Sequence, residues 1–196
     1  MSKIGNISTK DMVKIAILGA IASILMLFRF PLPFAPPFMD IDISEVPVLI
    51  GGFVMGPVAG VFIVFIKLII KFLTQGSSTG GVGELSNFII SSAFVVTTVL
   101  VYNRNRTMKN AVIALMAGVL SMTVLATLSN YFFIFPLYGI DLAEFGRSFT
   151  ETNPYVSGAG TFILFSMVPF NLIKGTLTSI VVMLLYKHIA PLLKKY

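Results

Sequence analysis

Residues 46–74 read VPVLIGGFVMGPVAGVFIVFIKLIIKFLT, with no charge before Lys67. A bilayer core about 30 Å thick is crossed by roughly 20 apolar residues in a helix. The run exceeds one crossing, and Gly51, Gly52, Gly56 and Pro57 interrupt it. Proline inside a helix removes a hydrogen bond and clashes with the preceding turn, and glycine weakens helices. The spacing predicts a short helix near 45–55, a tight turn, and a longer helix after Pro57. At 1.5 Å per residue the first piece is only ~16 Å long. It is expected to tilt, or to pack within the bundle away from lipid.

The rest of the 196-residue chain has the same character: 56% hydrophobic, 11% charged, mean hydropathy +0.94. Soluble domains carry about 25% charged residues. Ala111 to Ile140 is a second long run without charge. The composition predicts an all-α, polytopic protein of the lipid bilayer.

The net charge of +6 does not make a nucleic-acid surface. Lys3, Lys10 and Lys14 open the chain, Arg104, Arg106 and Lys109 lie between apolar runs, and Lys187, Lys194 and Lys195 close it. Basic residues concentrated in such segments mark them as cytoplasmic. Asp40, Asp42 and Glu45 fall in one outer connection, and Asp141, Glu144 and Glu151 in another. Helix 1, about 12–29, leads outward, and the run 85–102 ends inside at Arg104. An even number of crossings must therefore fit in 46–74, which the glycine break allows. Spans near 109–135 and 159–187 complete six transmembrane helices in one compact bundle, a single domain over 1–196 with both termini cytoplasmic.

The Gly-rich loop 76–88, GSSTGGVGELSNF, is not a nucleotide loop. Gly76 and Gly81 have P-loop separation, but Val82 and Gly83 occupy the Lys and hydroxyl positions. Parity places this loop outside, away from cellular ATP. With no Cys, neither disulfides nor Cys metal sites are available, and His188 stands alone, with no His/Asp/Glu cluster or Ser-based triad expected at apolar depth. Neither a catalytic residue nor a metal ligand is expected.

Polar side chains within membrane helices are costly and need a reason. Lys67 and Lys71 share one helix face, and Asn171 and Lys174 another. Rise per residue puts Lys71, Asn130, Lys174 and the start of the helix bearing Asn87 in the outer half of the bilayer. Lys71 is expected to snorkel to the headgroups. Asn130 fits an interhelical hydrogen bond as well as a ligand contact. Lys174 is the only charge between Thr152 and Tyr186 and points to function. Pro169 frees a backbone carbonyl at a similar depth. Tyr131, Phe132, Phe133 and Phe135 suit an interfacial belt or packing better than a stacking platform. With lysines but no acidic group expected at apolar depth, a proton relay and an intramembrane enzyme are disfavoured. An outward-opening pocket for a small ligand fits.

Residues 30–47, FPLPFAPPFMDIDISEVP, hold five prolines. They favour an extended path, and the interleaved phenylalanines need an apolar surface, either the pocket or the membrane interface. This string, with GGFVMGPVAG, STGGVGELSNF and NLIKG, resembles the substrate-binding S components of energy-coupling factor (ECF) vitamin transporters, most of all the riboflavin-specific member. The resemblance implies a non-enzymatic subunit without cofactors that captures riboflavin outside. It implies docking on a transmembrane coupling subunit carrying two ATPase subunits. Ala16 and Ala20 in AILGA match the family's docking motif, and small residues four apart let helices approach closely. The implied ligand-binding set is Phe38, Met39, Asp40, Ile41, Asp42, Glu84, Asn87, Asn130, Asn171 and Lys174, with the strip ending at Asp42 closing over the ligand. Another vitamin remains open within the family. A self-sufficient secondary transporter would show inverted repeats and acidic coupling sites, and neither is visible.

Overall fold

Ser8 opens the chain's first helix, its hydroxyl accepting from the Asp11 N–H at 3.2 Å. This computed structural model describes residues 8–35, 39–77 and 79–193. Helix α1 spans Thr9–Leu25. A minimal antiparallel ladder follows, β1 Phe30–Pro31 against β2 Asp40–Ile41, pairing Phe30 with Ile41 and Pro31 with Asp40. The proline-rich segment is thus a hairpin strap. Ala35 and Ile41 bury against Phe170, with Leu32, Phe34 and Met39 alongside. Phe30 is exposed. Phe38, Lys3, Lys194 and Lys195 lie outside the described residues.

The glycine break in 46–74 resolves as expected. Helix α2, Glu45–Met55, ends at Gly56, and α3, Pro57–Gln75, starts at once. Gly56 has φ +99°, a left-handed conformation open to glycine at little cost, and its N–H still caps the Gly52 carbonyl at 2.8 Å. Pro57 then sits at the first helical position, where a missing N–H costs nothing. Helix α2 is almost wholly buried, with Val46, Val48, Leu49 and Phe53 in the main core. Only 11 residues long, it is shielded from lipid by its neighbours.

Helix α4, Val82–Tyr102, and α5, Met108–Ser129, form an antiparallel pair. Gly118 on α5 makes their close approach possible: a Cβ there would fall 1.9 Å from Thr98 Oγ1 and 2.8 Å from Phe94 Cδ2. Helix α5 runs on through a π-turn, Asn130–Ile134, into α6, Phe135–Leu137. Helix α7, Leu142–Ser148, follows, then a 3₁₀ turn, Phe149–Glu151. Helix α8, Ala159–Phe162, continues through a second π-turn, Ile163–Met167, into α9, Val168–Leu193.

Four of these helical stretches are long and apolar enough to cross a membrane: Pro57–Gln75, Val82–Tyr102, Met108–Leu137 and Ala159–Leu185. Residues 141–158, read from sequence as a plain connection, instead build a second core. Phe135, Leu142, Phe149, Val156, Phe162 and Met167 bury together. Phe149 stands edge-on to Phe162 at 5.6 Å. Of the aromatic run, only Phe135 joins this core; Tyr131, Phe132 and Phe133 are exposed.

Candidate functional site

Both π-turns precede a proline and face the same space. Pro169 cannot donate to the Phe165 carbonyl four residues back. The buried Asn153 side chain donates to that carbonyl instead, at 3.2 Å. Asn130 opens the other π-turn, and its Nδ2 donates to its own helix at the Ala126 carbonyl, 2.7 Å. Asn171 does likewise, with Nδ2 to the Met167 carbonyl at 2.8 Å. Each amide is thereby oriented, leaving Oδ1 and a second N–H to meet a ligand.

Asn130 and Asn171 border a cavity of about 270 Å³ between the strap, α2, α4, α5 and α9. Of the sequence-expected set, Met39, Asp40, Asp42, Asn87, Asn130, Asn171 and Lys174 line it. The apolar wall includes Met26, Met122, Met167, Phe135 and Phe170. Such a lining, apolar with a few convergent polar groups, is typical of small-ligand sites, whose volumes begin at roughly 300 Å³.

Lys174 does not stand alone. Its ammonium donates to Asp42 Oδ2 at 2.8 Å and lies 3.4 Å from the Asp40 carbonyl oxygen, tying α9 to the strap. Asp42 Oδ1 accepts from the Ser44 N–H at 2.8 Å. Burial alone would raise the Asp42 carboxyl, but the Lys174 and Lys67 charges and the bonds from Lys174 and Ser44 outweigh it. The group is held well below the usual carboxylate range.

Several expectations need correction. Lys71 does not reach for headgroups; it pairs with Glu84, whose second oxygen accepts from Ser77 at 2.7 Å. Glu84 therefore braces the Gly-rich loop and is not on the cavity wall, although Thr79 and Gly83 beside it are. Ile41 is turned into the strap's own small core. The apolar depth also holds an acid: Glu45, 3% exposed, pairs with the fully buried Lys67.

The family profile for the ECF transporter substrate-specific component matches residues 10–186. The chain belongs to that family. The riboflavin transporter RibU of Staphylococcus aureus (strain TCH60) is 33% identical over 95% of this chain and 93% of its own length. The riboflavin transporter FmnP of Bacillus subtilis (strain 168) is 31% identical over 93% of each. A solved chain, the S component of a bacterial ECF transporter, superposes with a TM-score of 0.74 at 32% identity, covering 94% of this S component and 98% of that chain. The protein is a multi-pass component of the bacterial plasma membrane.

Sequence reasoning missed Arg29, Glu45, Ser86, Ser91 and Tyr138 on the cavity wall of this S component. Glu45 carried a usable signal. It opens the buried helix α2, whose neighbour α3 bears Lys67, and a lysine at that depth calls for an acid. The serines carried none, because small polar residues are common wherever membrane helices pack.

Proposed function

We propose that this S component captures riboflavin from the outer face of the membrane and hands it to an ECF module for uptake. The observation that carries the reading is one cavity joining Asn87, Asn130, Asn171 and Lys174 within a wall of Met and Phe side chains. Riboflavin has a flat aromatic body that such a wall can cover. Its ring edge and ribityl chain both donate and accept, as amides do. The names of the S. aureus and B. subtilis relatives support the same ligand.

In this reading Met39, Asp40 and Asp42 form the closing strap. The chain crosses the membrane six times, with α1 and the short α2 as the additional crossings and both termini in the cytoplasm, as a single domain. It performs no chemistry and needs no cofactor. ATP hydrolysis belongs to two ATPase subunits, reached through a transmembrane coupling subunit that docks on the Ala16 and Ala20 face. Ala16 is exposed and Ala20 half-buried, which supports that placement.

Purification from flavin-containing cells tests the ligand. The expected result is a yellow protein with about one riboflavin per chain, its fluorescence quenched. Tight binding of thiamine or biotin and none of riboflavin would overturn the assignment. Uptake by the protein alone in liposomes, driven by an ion gradient, would replace it with a secondary carrier.

A further inference from the structure

Asp42, Glu45 and Glu84 are each paired with a lysine on another element, and their second oxygens separate them. Asp42 uses both, on Lys174 and the Ser44 N–H. Glu84 uses both, on Lys71 and on Ser77 with Thr79. Glu45 places Lys67 and Ser91 on the same oxygen, Oε1, at 2.5 and 2.6 Å. Its Oε2 is buried and has no hydrogen-bond partner among the described residues. An ionised oxygen left so is costly, and native structures seldom leave one without cause. Glu45 lines the cavity.

We propose that Glu45 is a ligand-binding residue, with Oε2 accepting a hydrogen bond from the substrate. Lys67 and Ser91, on α3 and α4, hold the carboxylate from behind, so the free oxygen is fixed before the ligand arrives. Lys67 already neutralises Glu45, so the donor that fits is an uncharged N–H or O–H rather than a cation. The choice of probe rests on the riboflavin reading. Riboflavin offers such donors at its ring imide and at its ribityl hydroxyls.

Glu45→Gln is the informative change. The amide keeps one oxygen for Lys67 and Ser91 and turns an N–H₂ toward the cavity, so a donor meets a donor. Riboflavin and lumiflavin, which keeps the imide but lacks the hydroxyls, are titrated into purified wild-type and variant protein by flavin fluorescence, beside a thermal melt. The expected result is at least a tenfold loss of riboflavin affinity in a protein that still melts cooperatively. An equal loss for lumiflavin assigns the bond to the imide; a loss for riboflavin alone assigns it to a hydroxyl. Wild-type affinity in folded Glu45→Gln would overturn the role of Glu45 while leaving the riboflavin reading intact. No riboflavin binding by the wild-type protein would overturn that reading and this inference with it. If the single variant does not fold, Glu45→Gln with Lys67→Met removes the stranded ammonium. Loss that persists there supports the contact, and recovered affinity would show that Glu45 only pairs with Lys67.

Discussion

Lys174 and Asp42 meet across 132 residues of sequence, and their pairing joins ligand binding to stability. Removing one member of a buried pair costs about 3–5 kcal/mol, because the other stays buried without its counter-charge. Asp42→Asn should therefore lower the melting temperature of the empty protein at pH 7. The pH dependence has a definite sign. A carboxyl whose folded value is depressed contributes stability above its unfolded value of about 3.9, and loses it as pH falls through the folded one. The gap between wild type and Asp42→Asn should narrow as melts are taken below pH ~4; a gap independent of pH would argue against the ion pair. Asn171 tests the amides. Asn171→Ala should weaken riboflavin binding by about 0.5–1.5 kcal/mol, measured by isothermal titration, and more if a buried ligand group is left unsatisfied. Unchanged affinity would move the contact elsewhere.

Close helix approach depends on residues that offer nothing but the absence of a side chain. Gly118 lets α5 lie against Thr98 and Phe94 of α4, and Thr98 is fully buried. Adding a methyl group to such a seam forces displacement that typically costs 1–3 kcal/mol. Gly118→Ala should lower the melting temperature while leaving every cavity residue in place, so a folded sample at low temperature should still bind. A melting temperature equal to wild type would show that the seam relaxes freely. Pro169 shows the complementary device, a helix interruption repaired from outside. Asn153 reaches the π-turn before α9 from the segment after α7, so Asn153→Ala leaves the Phe165 carbonyl without that donor. The expected cost is ~1–3 kcal/mol, read as a lower melting temperature.

At the scale of the molecule, the proposed docking on a coupling subunit predicts that binding and transport can be separated. The cavity is lined by the chain's own strap and helices, whereas much of the bundle's apolar surface is exposed to lipid or to a partner. Helix α1 exposes Met12, Val13, Ile17 and Ile21 around Ala16. Changing Ala16→Leu and Ala20→Leu together should block close helix approach. Each ~1.4 kcal/mol of lost docking energy lowers affinity for the coupling subunit tenfold. ATP-dependent riboflavin uptake in reconstituted vesicles should fall accordingly, while riboflavin affinity of the isolated variant stays at the wild-type level. Normal uptake would place the docking face elsewhere, and parallel loss of binding would mean that the alanines serve the fold.

Membrane residence, the break at Gly56 and Pro57, and the long helical runs were legible in the sequence. A bilayer imposes length and apolarity on each crossing, and glycine and proline act within a few residues of themselves. The seven expected residues now on the cavity wall were legible for a related reason: an amide, an ammonium or a proline-bounded acidic strip is conspicuous in an apolar chain. Only the tertiary structure decided the partners. Lys71 could snorkel or pair, and that turned on where α4 begins. Glu45 could sit in an outer loop or in the core, and that turned on α2 being drawn inside by helices that cover it. The second core around Phe149 and Phe162 was hidden because its members lie on several short elements between 135 and 167, so no one helix face carries them. Helix spans are a one-dimensional property of the chain. Charge compensation depends on distances of a few ångströms between residues far apart in sequence, which only packing determines.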